Sequence, residues 1–268
     1  MKSKKYIGII LCAVICITCL CMLKNENTNN LIATNAGNVS NQKIGWGLKR
    51  AENHEQPDLG AKNKQIIDNY DGIAMGNKEK PYVYLTFDEG YEAGFTDKIL
   101  DTLKEKDVKA AFFITAHYLN TQPELVQRMI NEGHIVGNHT VNHKSMPDLS
   151  EDEIKKEVMD LHAAIYNKFG YEMKYIRPPK GEFSERTLIT TNNLGYKTVM
   201  WSLAYDDWDE NNQGREEYAK NKILNNIHNG AVILLHGNSK DNTYVLGKCI
   251  DKIREMGYEF KSLDTFEK

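Results

Sequence analysis

The chain has 268 residues, 34 basic against 37 acidic side chains and a formal net charge of -3, with the two signs mixed along its length. No basic stripe is visible, which argues against a nucleic-acid partner. Of its five cysteines, Cys12, Cys16, Cys19 and Cys21 fall near the N-terminus and Cys249 stands alone in the rest, excluding an intramolecular disulfide or a thiolate metal site there.

In chain order, residues 6–23 form an almost unbroken apolar stretch behind Lys2, Lys4 and Lys5. Its length is near the lower limit for spanning a bilayer and the basic flank sets the N-terminus inside, so residues 1–24 read as a signal anchor or signal peptide. No small-x-small cleavage site follows, which favours a retained anchor. Either way the body of the protein is expected outside the membrane. Ile15, Thr18 and Leu20 precede the nearby cysteines where a lipidation signal needs small residues. Residues 25–64, rich in Asn, Lys and Gly, read as a flexible exported linker. Residues 65–268 suffice for one domain with a sizeable core.

Within that domain a strand over 82–87 runs into Asp88 and Glu89, and a helix over 96–106 repeats apolar residues through Ile99, Leu100 and Leu103. A buried strand over 109–115 follows. Thr121-Gln122-Pro123-Glu124 opens a helix that Gly133 closes, and a strand over 135–137 leads to His139 and His143. Ser150 and Glu153 have capping-box spacing at the head of a helix that reaches Phe169 before Gly170. Tyr175-Ile176 ends at Arg177, a helix over 184–194 stops at Gly195, and a strand over 198–201 precedes Asp206 and Asp207. After a helix over 216–228, the most apolar strand, 231–235, ends at His236. A helix over 241–256 and a short strand over 258–260 complete the series. These about seven strands alternating with six or seven helices predict an α/β fold with a parallel sheet, a complete or incomplete (β/α) barrel. The chemistry of such folds collects where the strands end.

His139 and His143 lie four residues apart, on one face if the segment is a helical turn, a spacing that lets two neutral imidazoles reach one divalent ion. A carboxylate from another strand end would complete the site. Asp88-Glu89 before Gly90 reads either as an ordinary surface turn or as two roles, one carboxylate on the ion and one taking a proton from water. His236 reads as a satisfied buried group or as the general acid for a leaving amine. Arg177, on the rigid Arg177-Pro178-Pro179 backbone, is expected to pair with Asp207 and to orient or tune Asp88. Trp201, Tyr205 and Trp208 read as core, with Trp208 also able to face a sugar.

Five ordered segments resemble the motifs of the NodB-type polysaccharide deacetylases, carbohydrate esterase family 4: Thr86-Phe87-Asp88-Glu89-Gly90-Tyr91, His139-Thr140-Val141-Asn142-His143, Arg177-Pro178-Pro179-Lys180-Gly181, Asp207-Trp208 and Leu234-Leu235-His236. The resemblance spans 81–265 and implies a distorted (β/α) barrel that removes an N-acetyl group from an amino sugar. It implies Asp88 as catalytic base, His236 as catalytic acid, His139, His143 and Glu89 as metal ligands, and Arg177 with Asp207 as the pair tuning the base. Lys180, Gly181 and Trp208 fall on the substrate. The implied cofactor is a divalent ion, zinc before cobalt, manganese or nickel.

Two departures stand out. Glu89 occupies a position where the family usually has aspartate, and Lys180 one where it usually has an aromatic. Both, with Glu92, Gly94 and Phe183-Ser184-Glu185, are similar to the muramic δ-lactam-forming branch of endospore-forming bacteria. That likeness implies action on N-acetylmuramic acid in peptide-stripped peptidoglycan of the wall or spore cortex, with the glycan strand as partner and no protein partner. The alternatives are deacetylation of N-acetylglucosamine in peptidoglycan or chitin-like glycans, and a non-catalytic wall-glycan binding protein.

Overall fold

The computed structural model describes residues 39–268; the expected anchor and the first part of the expected linker lie outside the described residues. In chain order the elements are β1 (Ile44–Gly45), α1 (Ala61–Asn69), β2 (Tyr82–Glu89), α2 (Thr96–Glu105), β3 (Ala111–Ile114), α3 (Ala116–Thr121), α4 (Pro123–Asn131), β4 (Ile135–Asn138), α5 (Glu151–Phe169), β5 (Tyr175–Ile176), β6 (Glu182–Phe183), α6 (Glu185–Asn193), β7 (Lys197–Thr198), α7 (Glu216–Leu224), β8 (Ala231–His236), α8 (Lys240–Glu255) and β9 (Glu259–Phe260).

Seven strands form one parallel sheet in the order β7-β5-β4-β3-β2-β8, with β9 beside the first two residues of β2. Beyond β7 the chain bends back until Leu203 bridges Ile233 of β8, so the sheet curls round towards its far edge as a distorted barrel. Side chains alternate along β2, and this alternation separates two cores. Val83, Leu85 and Phe87 pack in the larger cluster with the α2 residues Ile99, Leu100 and Leu103, whereas Tyr84 joins Phe113, Val199 and Val232 in a smaller one. Helix ends follow local chemistry. Ser150 and Glu153 form the expected capping box, and Gly170 closes α5 in the left-handed conformation (φ 66°) that a side chain would disfavour.

The expected flexible linker is corrected from Asn41 onward. Ile44 and Gly45 pair antiparallel with Phe183 and Glu182, and Trp46 and Leu59 are buried with Phe183, Leu188 and Met200. The α1 helix then buries Ile66 and Ile67. Two-residue strands and a helix with one apolar pair carry too little periodicity to be read from sequence, so tertiary contacts decide them.

Candidate active site

Asp88, next to last on β2, faces the inner side, directly in register with His236 on β8. Its Oδ1 accepts from Arg177 Nη1 at 2.7 Å, and Arg177 is wholly buried. The guanidinium also donates to Thr86 Oγ1 and to the Val199 carbonyl, and it lies 4.2 Å from the centre of the Phe113 ring. Burial alone would raise the Asp88 pKa, but the Arg177 charge, aided by His139 and His236, outweighs it and holds the carboxyl below its ordinary value. Asp88 is therefore an ionised carboxylate ready to accept a proton.

β4 delivers His139. The turn that follows is not helical: Thr140 and His143 take positive φ of 67° and 54°, with Asn138 Oδ1 accepting from the Thr140 amide and Glu157 of α5 accepting from both nitrogens of Asn142. This correction leaves the expected pairing intact by another route, with His143 Nε2 3.2 Å from His139 Nε2. His139 Nδ1 lies 2.8 Å from the Arg177 carbonyl, which can only accept, so Nδ1 carries the proton and Nε2 presents a lone pair. Burial keeps His139 below its ordinary value despite Asp88, and burial with the His139 charge lowers His143 to about 4. Two neutral imidazoles with adjacent Nε2 atoms, and Asp88 Oδ2 at 3.4 Å from one of them, are suited to share a cation.

Glu89 is not part of that group. It follows Asp88 on the strand and so points to the opposite face, where Thr96 Oγ1 is 3.5 Å from Oε2, and Oε1 has no hydrogen-bond partner. Burial, then the charges of Glu92 and Asp88, raise its pKa well above the ordinary value. Gly237 makes room for this longer acid, since a Cβ there would sit 2.1 Å from Glu89 Oε1. The expected third ligand is thereby corrected, and among the described residues no group of three His, Cys, Asp or Glu side chains that could hold an ion is assembled. The imidazole pair fits two positions of a metal shell; the structure supplies no separate third.

Asp207 likewise has a different partner from the one expected. Its Oδ1 is 2.8 Å from His236 Nδ1, while Oδ2 accepts from the His236 amide and from Asn242 Nδ2 of α8. Arg177 therefore serves the base alone, and Asp207 serves the acid. Burial would lower the His236 pKa, but the Asp207 charge and hydrogen bond outweigh it and the net shift is upward. With Nδ1 committed to Asp207, Nε2 is the atom left to deliver a proton.

Asp88, His139, His143, Lys180, Gly181, Trp208 and His236 all line one cavity of about 920 Å³, with Arg177 and Asp207 buried behind it. Trp208 is 60% exposed, not core, and Trp201 and Tyr205 reach the same cavity wall. Sequence reasoning missed Tyr91, which is 65% exposed in the wall against His117, and Asn242, which steadies Asp207. Tyr91 closes the first motif without a charged group to mark it, and Asn242 lies outside every motif.

A carboxylate held below its ordinary pKa beside an imidazole raised above its own, on neighbouring strands of a curled (β/α) sheet, defines a hydrolase site for acid–base cleavage of an acyl bond. Residues 75–199 match the family model for polysaccharide deacetylase. The peptidoglycan-N-acetylmuramic acid deacetylase PdaA of Bacillus subtilis (strain 168) is 43% identical over 239 residues, 88% of this chain and 91% of that protein. A peptidoglycan-N-acetylglucosamine deacetylase of Bacillus cereus is 34% identical over 203 residues, 74% and 73% of the two chains. The solved structure of B. subtilis PdaA, a family 4 carbohydrate esterase, superposes with a TM-score of 0.83 at 42% identity, covering 85% of this chain and 98% of that one. The chain belongs to the polysaccharide deacetylase family and shares the fold of the family 4 carbohydrate esterases.

Proposed function

We propose that the protein hydrolyses the N-acetyl group of N-acetylmuramic acid in peptide-stripped peptidoglycan outside the membrane, in a metal-dependent reaction, and that the product closes to muramic δ-lactam as in spore cortex. The observation that carries the reaction is the pair of oppositely tuned groups, Asp88 with Arg177 and His236 with Asp207, in register across β2 and β8. His139 and His143 would hold a divalent ion, which supplies polarisation of the acetyl carbonyl and acidification of water.

The chain's own groups do the rest. Asp88 takes the proton of the attacking water as oxygen adds to the acetyl carbon, and Arg177 keeps that carboxylate aligned. His236 donates its Nε2 proton to the departing nitrogen as the C–N bond breaks, leaving acetate and a free amine, while Asp207 stabilises the charged ring before transfer. The freed amine lies on the same sugar as the lactyl carboxyl, so condensation between them with loss of one water closes the six-membered lactam.

Lys180 supports the muramic assignment. It is exposed in the cavity wall near His143, and the lactyl carboxylate found on muramic acid and absent from glucosamine is its natural partner. An attached peptide would remove that charge and add bulk, favouring a denuded strand. Export rests on the apolar stretch 6–23 behind its lysines. The test treats amidase-stripped peptidoglycan and chitooligosaccharides in parallel and measures acetate release and the mass loss of lactam closure. Acetate from the stripped strand with lactam mass is expected. Efficient deacetylation of the chitooligosaccharide with no muramic product would instead assign the glucosamine reading, and no acetate from either would leave a glycan-binding protein.

A further inference from the structure

The segment from Asn41 to Arg50 lies outside every catalytic motif, yet it holds the backbone of one cavity wall. The Trp46 amide donates to the Gly181 carbonyl at 2.8 Å, Trp46 Nε1 donates to the Trp201 carbonyl at 2.9 Å, and Arg50 Nη2 donates to the Ala204 carbonyl at 2.9 Å. All three acceptors belong to residues that line the cavity. They come from two separate loops, one after β5 and one after β7, and Trp46 reaches both.

The wall held in this way is not self-supporting. Lys180 has φ 60° and ψ 8°, and Gly181 follows at φ 65°, a left-handed pair of which the first is unfavourable for a side-chain-bearing residue. Such a conformation persists where neighbouring contacts over-determine it. Here β6 begins at the next residue and pairs only with β1, so Ile44, Gly45 and Trp46 provide the sheet partner of the chain just after the strained turn. Gly181 is pressed between Trp46 and Trp201: a Cβ there would meet the Trp201 ring at 2.7 Å and Trp46 Cβ at 3.2 Å. Lys43 adds ion pairs to Asp148 and Glu182, and Asn41 accepts from Ser184 Oγ just after the turn while donating to the Pro147 carbonyl of the segment before α5.

We infer that residues 41–50 form a positioning strap and that Trp46, through Gly181 and Trp201, fixes the wall from which Lys180 meets the substrate. Trp46 touches neither the base nor the acid, so its effect falls on substrate binding and selectivity. This inference rests on the deacetylase reading for its kinetic part only; the mobility of the wall is independent of any substrate.

The experiment compares full-length wild type, Trp46→Ala and Trp46→Phe by hydrogen exchange and by steady-state acetate release from peptide-stripped peptidoglycan. Trp46→Ala is expected to speed amide exchange over 179–183 while β2 and β8 stay protected, and to raise KM about three- to tenfold with a smaller change in kcat, the scale of losing one side-chain hydrogen bond. Trp46→Phe, which keeps an aromatic ring but loses the Nε1 donor and part of the ring volume, should fall between. If Trp46→Ala does not fold, the Phe variant alone carries the comparison. Unchanged exchange over 179–183, or faster exchange spread evenly across the barrel, overturns the inference. Local loosening without acetate release from wild type would instead overturn the deacetylase reading and leave the strap in place.

Discussion

Asp88 and Arg177 are a buried ion pair in which each charge justifies the other. Asp88→Asn keeps the shape and removes the base, so kcat/KM should fall by about 10²–10⁴. It also leaves Arg177 buried without its counter-charge, which costs on the order of 3 kcal/mol. Acetate release and urea denaturation measure the two effects, and near-normal turnover would remove Asp88 from its role. Because its folded pKa lies below the ordinary 3.8, the stability Asp88 contributes is complete above that pH and lost as pH falls through the folded value. His236 has the opposite sign. Its raised pKa means that its contribution is complete below 6.5 and lost as pH rises through the folded value, and the same shift keeps the acid protonated further into the neutral range. Asp207→Asn removes the charge that opposes burial, so the alkaline limb of kcat should move to lower pH. An alkaline limb that stays in place would show that another group sets it.

The end of β8 is built around the longer acid on β2. The Gly237 Cα faces the Glu89 carboxylate so closely that Gly237→Ala should destabilise the fold by roughly 1–3 kcal/mol, as overpacking does, and shift the neighbouring His236. Glu89→Asp shortens the acid and should recover part of that loss when combined with Gly237→Ala, a coupling measurable by a double-mutant denaturation cycle. Strict additivity of the two changes would mean that the carboxylate and the glycine do not meet. The two-residue strands work at the same scale: β1 and β6 have little stability of their own, and their pairing matters because it anchors a strained turn.

At the scale of the molecule, the cavity joins a polar floor of imidazoles and carboxylate to a wall carrying Lys180. An exposed ammonium attracting an anionic lactyl group is screened by salt, so KM for the stripped strand should rise between low and physiological ionic strength while KM for a neutral chitooligosaccharide stays nearly constant. Steady-state acetate release across a salt series checks this. Parallel salt dependence for both substrates would assign Lys180 to the solvent-facing rim.

The alternation of strand-length apolar runs with amphipathic stretches was legible because each periodicity is local, and the seven parallel strands lie close to where those runs fall. The line of Asp88, His139, His143 and His236 was legible because polar groups at the ends of apolar strands stand out against them. Which group serves which was not. Asp207 pairs with His236 and not with Arg177, and Glu89 turns from the imidazoles because the alternation of β2 is resolved only once the sheet has an inside and an outside. Residues 41–50 carry only the short alternation of Ile44, Trp46 and Leu48, and their hydrogen bonds reach residues more than a hundred positions away. Sequence alone determined the longer elements and the chemical inventory, because these depend on neighbours along the chain. Tertiary structure alone decided the partners of each charge and the support of the cavity wall, because those depend on neighbours across space.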